Sequence, residues 1–486
     1  MPTYHEVMSA DLSKLTAAAD KWGEMSGNFK KLGELYEQEV HGISLGETWI
    51  GASATAGHDR FTVTLEEIKG AQNEAKAVAA LLRQAHTQLV DLRARVEAVR
   101  ADAVKDGMRV SDQGVVAFDT ARLTKGEHTA YVHDPDFQES ARATAGEWAE
   151  RIREAVKAVS DADDGICLAL QSVVRDSDAM DGTIDGFNRH PEPSPYPSFQ
   201  EAGKAANMPE GKKAVAEWWR DLDPVTRGIL WEQRGKELLA AGIAAPLYPW
   251  KAPDAGSGEW GVQEVTPRDV SLHALALSIA TAGDLVGNVG ASRNMLHYLD
   301  GTGETLSLDA DRMLHDDGGF RKEIERDHLA AHQDSWRQQA LEEFHRAGGD
   351  RTVVVPVESD AKHRTLQSDE WFRAVGSHAQ NVSGMVIVTP GADGGPPKVS
   401  LDYQVNVWDR YNWDQGKATT FPGGVTIEDK DMGRLHQVGI AREFDMRGSS
   451  ASYTHDLNGQ VSGGTPTDPG REGTRGDVSR GDEENR

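Results

Sequence analysis

The tripeptide Trp49-Ile50-Gly51 separates two stretches in which apolar residues recur at spacings of three and four. Such spacing places the apolar side chains on one stripe of a helix, and neither stripe can remain in water. The connection, Gly42 to Gly57, is rich in Gly and small residues, so the helices can fold back and cover each other. We therefore predict an antiparallel hairpin over residues 1–105. Trp49 would close its open end, and Gly51 would give a position without a Cβ beside the indole. The stripes are Met8, Leu12, Leu15, Ala19, Trp22, Met25, Phe29, Leu32 and Tyr36, then Phe61, Leu65, Ile68, Ala75, Leu82, Leu89, Leu92, Val96 and Val99.

The composition describes an acidic chain with room for several domains. Its 486 residues carry a formal net charge of -26, and 38% of them are hydrophobic. Nucleic-acid backbones and anionic membrane surfaces would repel that charge, so nucleic acid is not an expected partner. The one cysteine, Cys167, lies in an apolar run, so we expect it to pack as a small hydrophobic residue. A single cysteine also excludes a disulfide within the chain.

No segment has the pattern of a secretory signal or of a transmembrane helix. Residues 1–11 lack both a basic region and an apolar core, and no later stretch approaches about 18 uninterrupted apolar residues. By these criteria we expect a cytoplasmic protein with no transmembrane segment.

The apolar period changes along the rest of the chain. From about residue 352 it moves from about 3.6 towards 2, as in strands, and helices at 309–347 and 429–442 would cover one face of a sheet. The predicted fold class is multidomain: an all-α helical hairpin region followed by an α+β domain with an antiparallel sheet. The predicted parts are the hairpin at 1–105, a helical extension at 106–185, a Pro-rich linker at 186–205, a helical connecting module at 206–294, the α+β domain at 295–458 and a disordered tail at 459–486.

The densest group of chemically useful side chains follows the strongest predicted strand, 398–408. Asp409 and Asp414 are close enough for one carboxylate to raise the pKa of the other, which would supply an acid and a base. Lys417 would neutralise a phosphate or an oxyanion, and His436 with Glu443 would complete a proton relay. Tyr411, Asn412 and Trp413 would form the binding wall of the pocket.

A second interpretation of the same residues is structural. Asn412, Asp414 and Lys417 also fit a polar turn that ends a strand, and Tyr411 with Trp413 would then fill the layer between sheet and helix. We predict no metal site and no cofactor. His328 and His332 have a zinc-like spacing, but the acidic residues around them favour a solvated helix face. The chain also lacks a phosphate-binding Gly-rich loop and a Gly-x-Ser-x-Gly elbow.

The hairpin, with its Trp-x-Gly turn, resembles the WXG superfamily of type VII secretion substrates over residues 1 to about 105. That resemblance implies export as a folded hairpin without a cleaved signal, so it implies a secreted or cell-envelope protein. It also implies a helical dimer partner or the type VII secretion machinery as partners, with Trp49 and Gly51 as the secretion motif. The Tyr-x-x-x-Asp/Glu signal of the family is absent from its usual place, because Asp134 lies three positions after Tyr131 instead of four.

The run from Asp409 to Lys417, with Leu435 to Phe444, resembles a C-terminal module that recurs behind WXG hairpins in actinobacterial proteins. A looser likeness joins Asp409 to Trp413 to the active-site run of colicin M-like bacteriocins, although Asn412 stands where that family has an aspartate. Two functional hypotheses follow. One is a secreted effector or toxin-like domain, with an immunity protein as a possible partner, and the other is a non-enzymatic secreted scaffold or surface-binding protein.

Overall fold

The structure is a computed structural model that describes residues 2–45, 49–175, 186–247, 256–285, 289–413, 418–420 and 426–458. The described residues are mostly helical, at 62%. It divides into two compact units, Met1–Met208 and Pro209–Arg486. The predicted tail, 459–486, lies outside the described residues.

The first unit consists of helices and one short hairpin of strands. Side chains that accept hydrogen bonds from free main-chain N–H groups fix several helix starts: Thr3 and Thr124 form capping boxes with Glu6 and Glu127, and Asp134 caps a helix that begins with Pro135. The elements are α1 (Tyr4–Ser9), α2 (Ser13–Tyr36), α3 (Gly42–Ser44), α4 (Ala52–Lys105), β1 (Met108–Val110), β2 (Val116–Phe118), α5 (Lys125–His133), α6 (Pro135–Val173) and α7 (Phe199–Ala206).

Helices α2 and α4 form an antiparallel hairpin. Contacts between them pair rising residue numbers on α2 with falling numbers on α4. Asp20 bonds to Arg83 at 3.0 Å, and Ser26 Oγ donates to the carbonyl of Gln72 at 3.0 Å. The stripes supply buried residues such as Ala19 and Leu65, whereas Leu32 is 49% exposed. Met8 belongs to the separate helix α1, so the first stripe is not one continuous helix.

Trp49 and the glycines around it occupy the turn of the hairpin. The indole lies against Phe61, with ring centroids 6.3 Å apart, and remains 36% exposed. Gly51 has φ +101° with no atom near its Cβ position, so it is required by the backbone conformation. The close approach to the indole predicted for Gly51 occurs instead at Gly57, where an added Cβ would lie 2.5 Å from the Trp49 ring.

The segment between α6 and α7 is attached to the first unit at both of its ends. At residues 186–190, the amide of Asn188 donates to Glu74 at 3.0 Å, and the carbonyl of Arg189 accepts from Asn73. Beyond the prolines, the amide of Phe199 donates to Gln88. The division between the units therefore lies after Met208, beyond the 186–205 linker suggested by the sequence. Cys167, expected to be packed, is exposed on α6.

The second unit combines nine labelled helices with strands, counted within the described ranges. Its elements are α8 (Lys212–Asp221), α9 (Pro224–Ala241), α10 (Pro267–Leu285), α11 (Val289–Asp300), β3 (Leu306–Ser307), α12 (Ala310–Asp316), α13 (Gly318–Glu323), α14 (Ala331–Arg346), β4 (Val353–Glu358), β5 (Lys362–Thr365), α15 (Asp369–Ala374), β6 (Ser377–Thr389), β7 (Lys398–Tyr411), β8 (Ala418–Thr420), β9 (Thr426–Glu428), α16 (Asp429–Gln437), β10 (Phe444–Ser449) and β11 (Tyr453–Asp456).

The main sheet of this unit is mixed, not antiparallel as predicted. Its order is β3-β10-β7-β6-β4, with β11 paired to β7 and β5 paired to β6. Every pairing in it is antiparallel except that of β3 with β10, where Leu306 lies opposite Met446 in a parallel register. Strand β3 precedes the central strands in sequence but lies at the edge of the sheet, beside the strand that follows them. The long connection between β3 and β10 allows the two strands to run in the same direction. A separate pair, β8-β9, is antiparallel.

A large cluster of core residues in the second unit lies on one face of this sheet. Alternate residues of β7, including Leu401, Val405 and Val407, pack there against helices that contribute Trp336 and Met432. The C-terminal end of β7 therefore lies between the sheet and α16. The sequence places the candidate site at this end. No helix in the described ranges has both the length and the apolar character needed to cross a membrane.

Candidate functional site

The end of β7 is surrounded by aromatic rings. Tyr411 stacks on Phe444 of β10, with ring centroids 5.0 Å apart, and meets Trp413 edge-on at 5.9 Å. Tyr298 of α11 contacts both Tyr411 and Trp413. These rings hold the strand end rigidly against α11 and β10, as aromatic pairs of this geometry do. Tyr411 and Trp413, predicted as binding residues, thus belong mainly to the wall between sheet and helices.

Glu443 is the carboxylate placed most deeply at this strand end. Its side chain has 0% exposure and lies 3.5 Å from the guanidinium of Arg410. The other carboxylate oxygen accepts the amide N–H of Ser257 at 2.9 Å. Arg410 was not among the predicted site residues, although it stands between Asp409 and Tyr411. The structure therefore pairs Glu443 with a charged partner that the sequence analysis missed.

His436 uses both ring nitrogens for main-chain groups. Its Nδ1 accepts the amide of Glu443 at 3.1 Å, so Nε2 carries the proton that is donated to the carbonyl of Gly258 at 3.0 Å. The ring is only 3% exposed. A proton relay needs a nitrogen that can exchange its proton with substrate, and in this conformation neither nitrogen is available. His436 lies next to Glu443, as predicted, but here it joins segments of the main chain.

Residues 256–263, called the strap below, cross over Glu443 and His436. In addition to the contacts of Ser257 and Gly258, Ser257 Oγ donates to the carbonyl of Trp413 at 3.3 Å. Trp260 Nε1 donates to the carbonyl of Ala441 at 3.0 Å, and Arg442 lies over the Trp260 ring at 4.7 Å. No periodic signal predicts this contact, because Gly-Ser-Gly-Glu-Trp-Gly has the composition of a linker.

The other predicted catalytic residues are distributed differently. Asp409 is buried on β7 opposite Met446. The β6-β7 ladder ends at Ala379 paired with Trp408, so the next residues, His378 and Asp409, project from the same face of the sheet. Asn412 lies between β7 and Trp413, and Asp414 and Lys417 lie outside the described residues.

Burial at the strand end raises the pKa of both tyrosines. Desolvation is the main cause at Tyr298, whose pKa rises well above its usual value, with a smaller contribution from the charge of Glu443. At Tyr411, burial raises the pKa and the charge of Asp429 adds to the effect. Both phenols therefore stay protonated and can act only as neutral hydrogen-bonding groups. Tyr298 already donates to the carbonyl of Met432 at 2.7 Å.

The described residues hold no group of three or more His, Cys, Asp or Glu side chains that could bind a metal ion. His328 and His332 do not converge. His328 is buried rather than solvated, with Nδ1 2.8 Å from Ser359 Oγ, and burial lowers its pKa to about 4. His332 stacks on Trp336, with ring centroids 5.2 Å apart.

A second polar group, also missed from the sequence, crosses the opposite face of the sheet. Glu358, Asn381, Asn406 and Ser449 come from four neighbouring strands, and each bonds to the next at 2.7 to 3.0 Å. Arg220 of α8 closes the row with an ion pair to Glu358 at 2.9 Å. These side chains satisfy one another, so the row serves to fix strand register and to attach α8.

Comparison with known proteins gave no match to any family model, curated protein or solved structure.

Proposed function

We propose that the chain is a type VII secretion substrate in which the first unit is the delivery module and the second unit is the cargo. The observation that carries this proposal is the antiparallel α2–α4 hairpin with Trp49 and Gly51 at its turn. Although the indole packs on Phe61, Trp49 remains 36% exposed, so part of the ring is free to contact an export partner. The secretion machinery or a helical partner chain is the proposed occupant.

We propose that the second unit is an effector with a toxin-like activity, which it exerts in the cell envelope or on competing cells. Support comes from the strand end at which Arg410, Glu443 and Tyr411 converge, held by aromatic packing as reactive groups need to be. An effector of this kind would require an immunity protein in the producing cell.

A non-enzymatic secreted scaffold is the second candidate, and His436 favours it. With both ring nitrogens bonded to the main chain, this residue behaves as a structural connection. In a scaffold the C-terminal sheet would recognise a protein or a surface polymer without chemical change.

Export is tested with substitutions inside the tripeptide. Trp49→Ala removes the indole that contacts Phe61, and Gly51→Ala places a side chain at φ +101°, so both should reduce secretion by a type VII system. Ile50→Ala is the matched control, because Ile50 is 81% exposed. Secretion is measured as the fraction of the chain in the culture medium. Wild-type secretion of Trp49→Ala would contradict the delivery role.

Activity is tested by expressing the full chain in a bacterial host, either in the cytoplasm or behind a periplasmic signal. The effector hypothesis predicts growth arrest in one compartment, relieved by Glu443→Gln or Asp409→Asn in variants that keep the wild-type melting temperature. Because His436 supports the main chain, His436→Ala should relieve toxicity only together with a loss of stability of about 1–3 kcal/mol. Harmless expression in both compartments would favour the scaffold.

A further inference from the structure

The amide N–H and the hydroxyl of Ser257 face the C-terminal end of strand β7. The amide N–H reaches Glu443 at 2.9 Å, and the hydroxyl reaches the carbonyl of Trp413. Gly256 has φ +60°, and a Cβ there would overlap Oε2 of Glu443. The site therefore accepts a peptide backbone in close contact with a buried carboxylate, and Ser257 is 6% exposed in that position.

Two hydrogen-bond donors in the same region have no partner among the residues that the structure describes. Nε of Arg410 and Nε1 of Trp413 are both buried, and Trp413 is only 9% exposed. A buried donor without an acceptor is unfavourable, and the strap satisfies neither one. A ligand with carbonyl oxygens as well as an N–H would match Arg410, Trp413 and Glu443 together, and a peptide has this combination of groups.

The strap is built differently from the elements that it covers. It contains no helix or strand, and Gly256, Gly258 and Gly261 all have positive φ. Beyond Gly258 the amides of Gly261 and Gln263 donate to the carbonyls of His436 and Gln437. The side chains of this part of the strap lie near the surface: Trp260 is 43% exposed, and the side chains of Gln263 and Gln437 form an exposed hydrogen bond. Hydrogen bonds of this exposed kind open more readily than those of a packed helix.

We propose that the strap is an internal ligand of the Glu443–Arg410 strand end, and that its displacement opens this end to an extended peptide segment of a target protein. The inference rests on the proposed function, since it names the substrate class of the same site. In the open state Glu443 accepts an amide N–H of the target. Arg410 and Trp413 donate to target carbonyl oxygens.

The test measures binding of a fluorescein-labelled peptide of residues 256–263 to the full chain by fluorescence anisotropy. Trp260→Ala removes the bond to Ala441 and the stacking of Arg442, so it should raise peptide affinity at least about tenfold over wild type. Val262→Ala, at a strap residue that is 57% exposed, is the control and should bind as wild type does. A Ser257→Pro peptide lacks the amide N–H, and Glu443→Gln added to Trp260→Ala lacks the charged acceptor. Each should lose most of the gain.

Equal peptide affinity for wild type, Val262→Ala and Trp260→Ala would overturn the proposal, and so would full affinity for the Ser257→Pro peptide. Hydrogen exchange of the wild-type chain gives a second measurement that does not depend on a variant. Amides of 256–263 should exchange at least about a hundredfold faster than those of α16, and exchange only with global unfolding would also overturn the proposal. Neither measurement uses secretion or toxicity, so a failure here is distinct from a failure of the proposed function.

Discussion

His436 and His378 are both buried histidines, yet their ring nitrogens have different surroundings. Each nitrogen of His436 has a main-chain partner. In His378, Nε2 lies 2.9 Å from Oε1 of Gln380, and the ring also interacts with the main chain of Gly376. The sequence indicated neither arrangement, because the partners come from distant segments.

Burial of the His378 ring predicts a loss of stability in mild acid. Burial lowers the pKa of His378 to about 4. Below about pH 6.5 the histidine of the unfolded chain therefore binds a proton, whereas the ring in the folded state stays neutral. The contribution of His378 to the free energy of unfolding is complete above pH 6.5 and is lost as the pH falls towards 4. Between pH 7 and pH 5 it amounts to about 2 kcal/mol of unfolding free energy.

Urea denaturation at the two pH values measures this loss. His378→Asn should reduce the difference between pH 7 and pH 5 by about that amount, while His363→Asn, at an exposed position on β5, should leave it unchanged. An identical pH dependence in His378→Asn and wild type would show that His378 is not the group responsible.

At the scale of elements, the packing of α6 against α7 depends on two glycines. A Cβ at Gly165 would overlap the carbonyl oxygen of Phe199, and a Cβ at Gly203 would overlap that of Asp161. Each helix thus approaches the main chain of the other where side chains are absent. Apolar periodicity predicted helix α6, but it gives no sign of this close contact, which depends on glycines that have no side chain.

Gly165→Ala should therefore destabilise the first unit by about 3 kcal/mol, because the helices must move apart. Gly146→Ala is matched to it, since Gly146 lies on the same helix with no atom near its Cβ position, and it should stabilise by up to about 1 kcal/mol. Thermal unfolding followed by circular dichroism compares the two. Equal melting temperatures would mean that α6 and α7 do not pack this closely in solution.

The elements themselves followed the sequence where their signal is local. The strand expected at 398–408 is β7, and the helical extension expected at 106–185 contains α6. The parallel partner of β10 was not predictable, because β3 has only two residues and no periodicity of its own. The strap likewise acquires its structure from contacts with distant residues, namely Trp413 and residues 434–443.

At the scale of the whole molecule, the division after Met208 predicts where the chain is cleaved. Glu210 is exposed and lies outside any helix, between α7 and α8, whereas Glu192 lies in the Pro-rich segment that is attached at both ends. Limited proteolysis with a glutamyl endopeptidase should cut after Glu210 before Glu192, because a protease needs a locally extended chain. Mass spectrometry of the early fragments distinguishes the two sites. Earlier cleavage after Glu192 would support a linker at 186–205.

The parallel pairing of β3 with β10 also imposes an order on folding. The hairpin β6-β7 closes across an eight-residue loop, 390–397, whereas Leu306 and Met446 lie far apart in sequence. Local pairs form before distant ones because less chain entropy is lost in closing them. We therefore expect β6-β7 to form first and the β3 edge last. During synthesis, a chain that has not yet reached Phe444 can hold its central hairpin but has no surface on which β3 can pair.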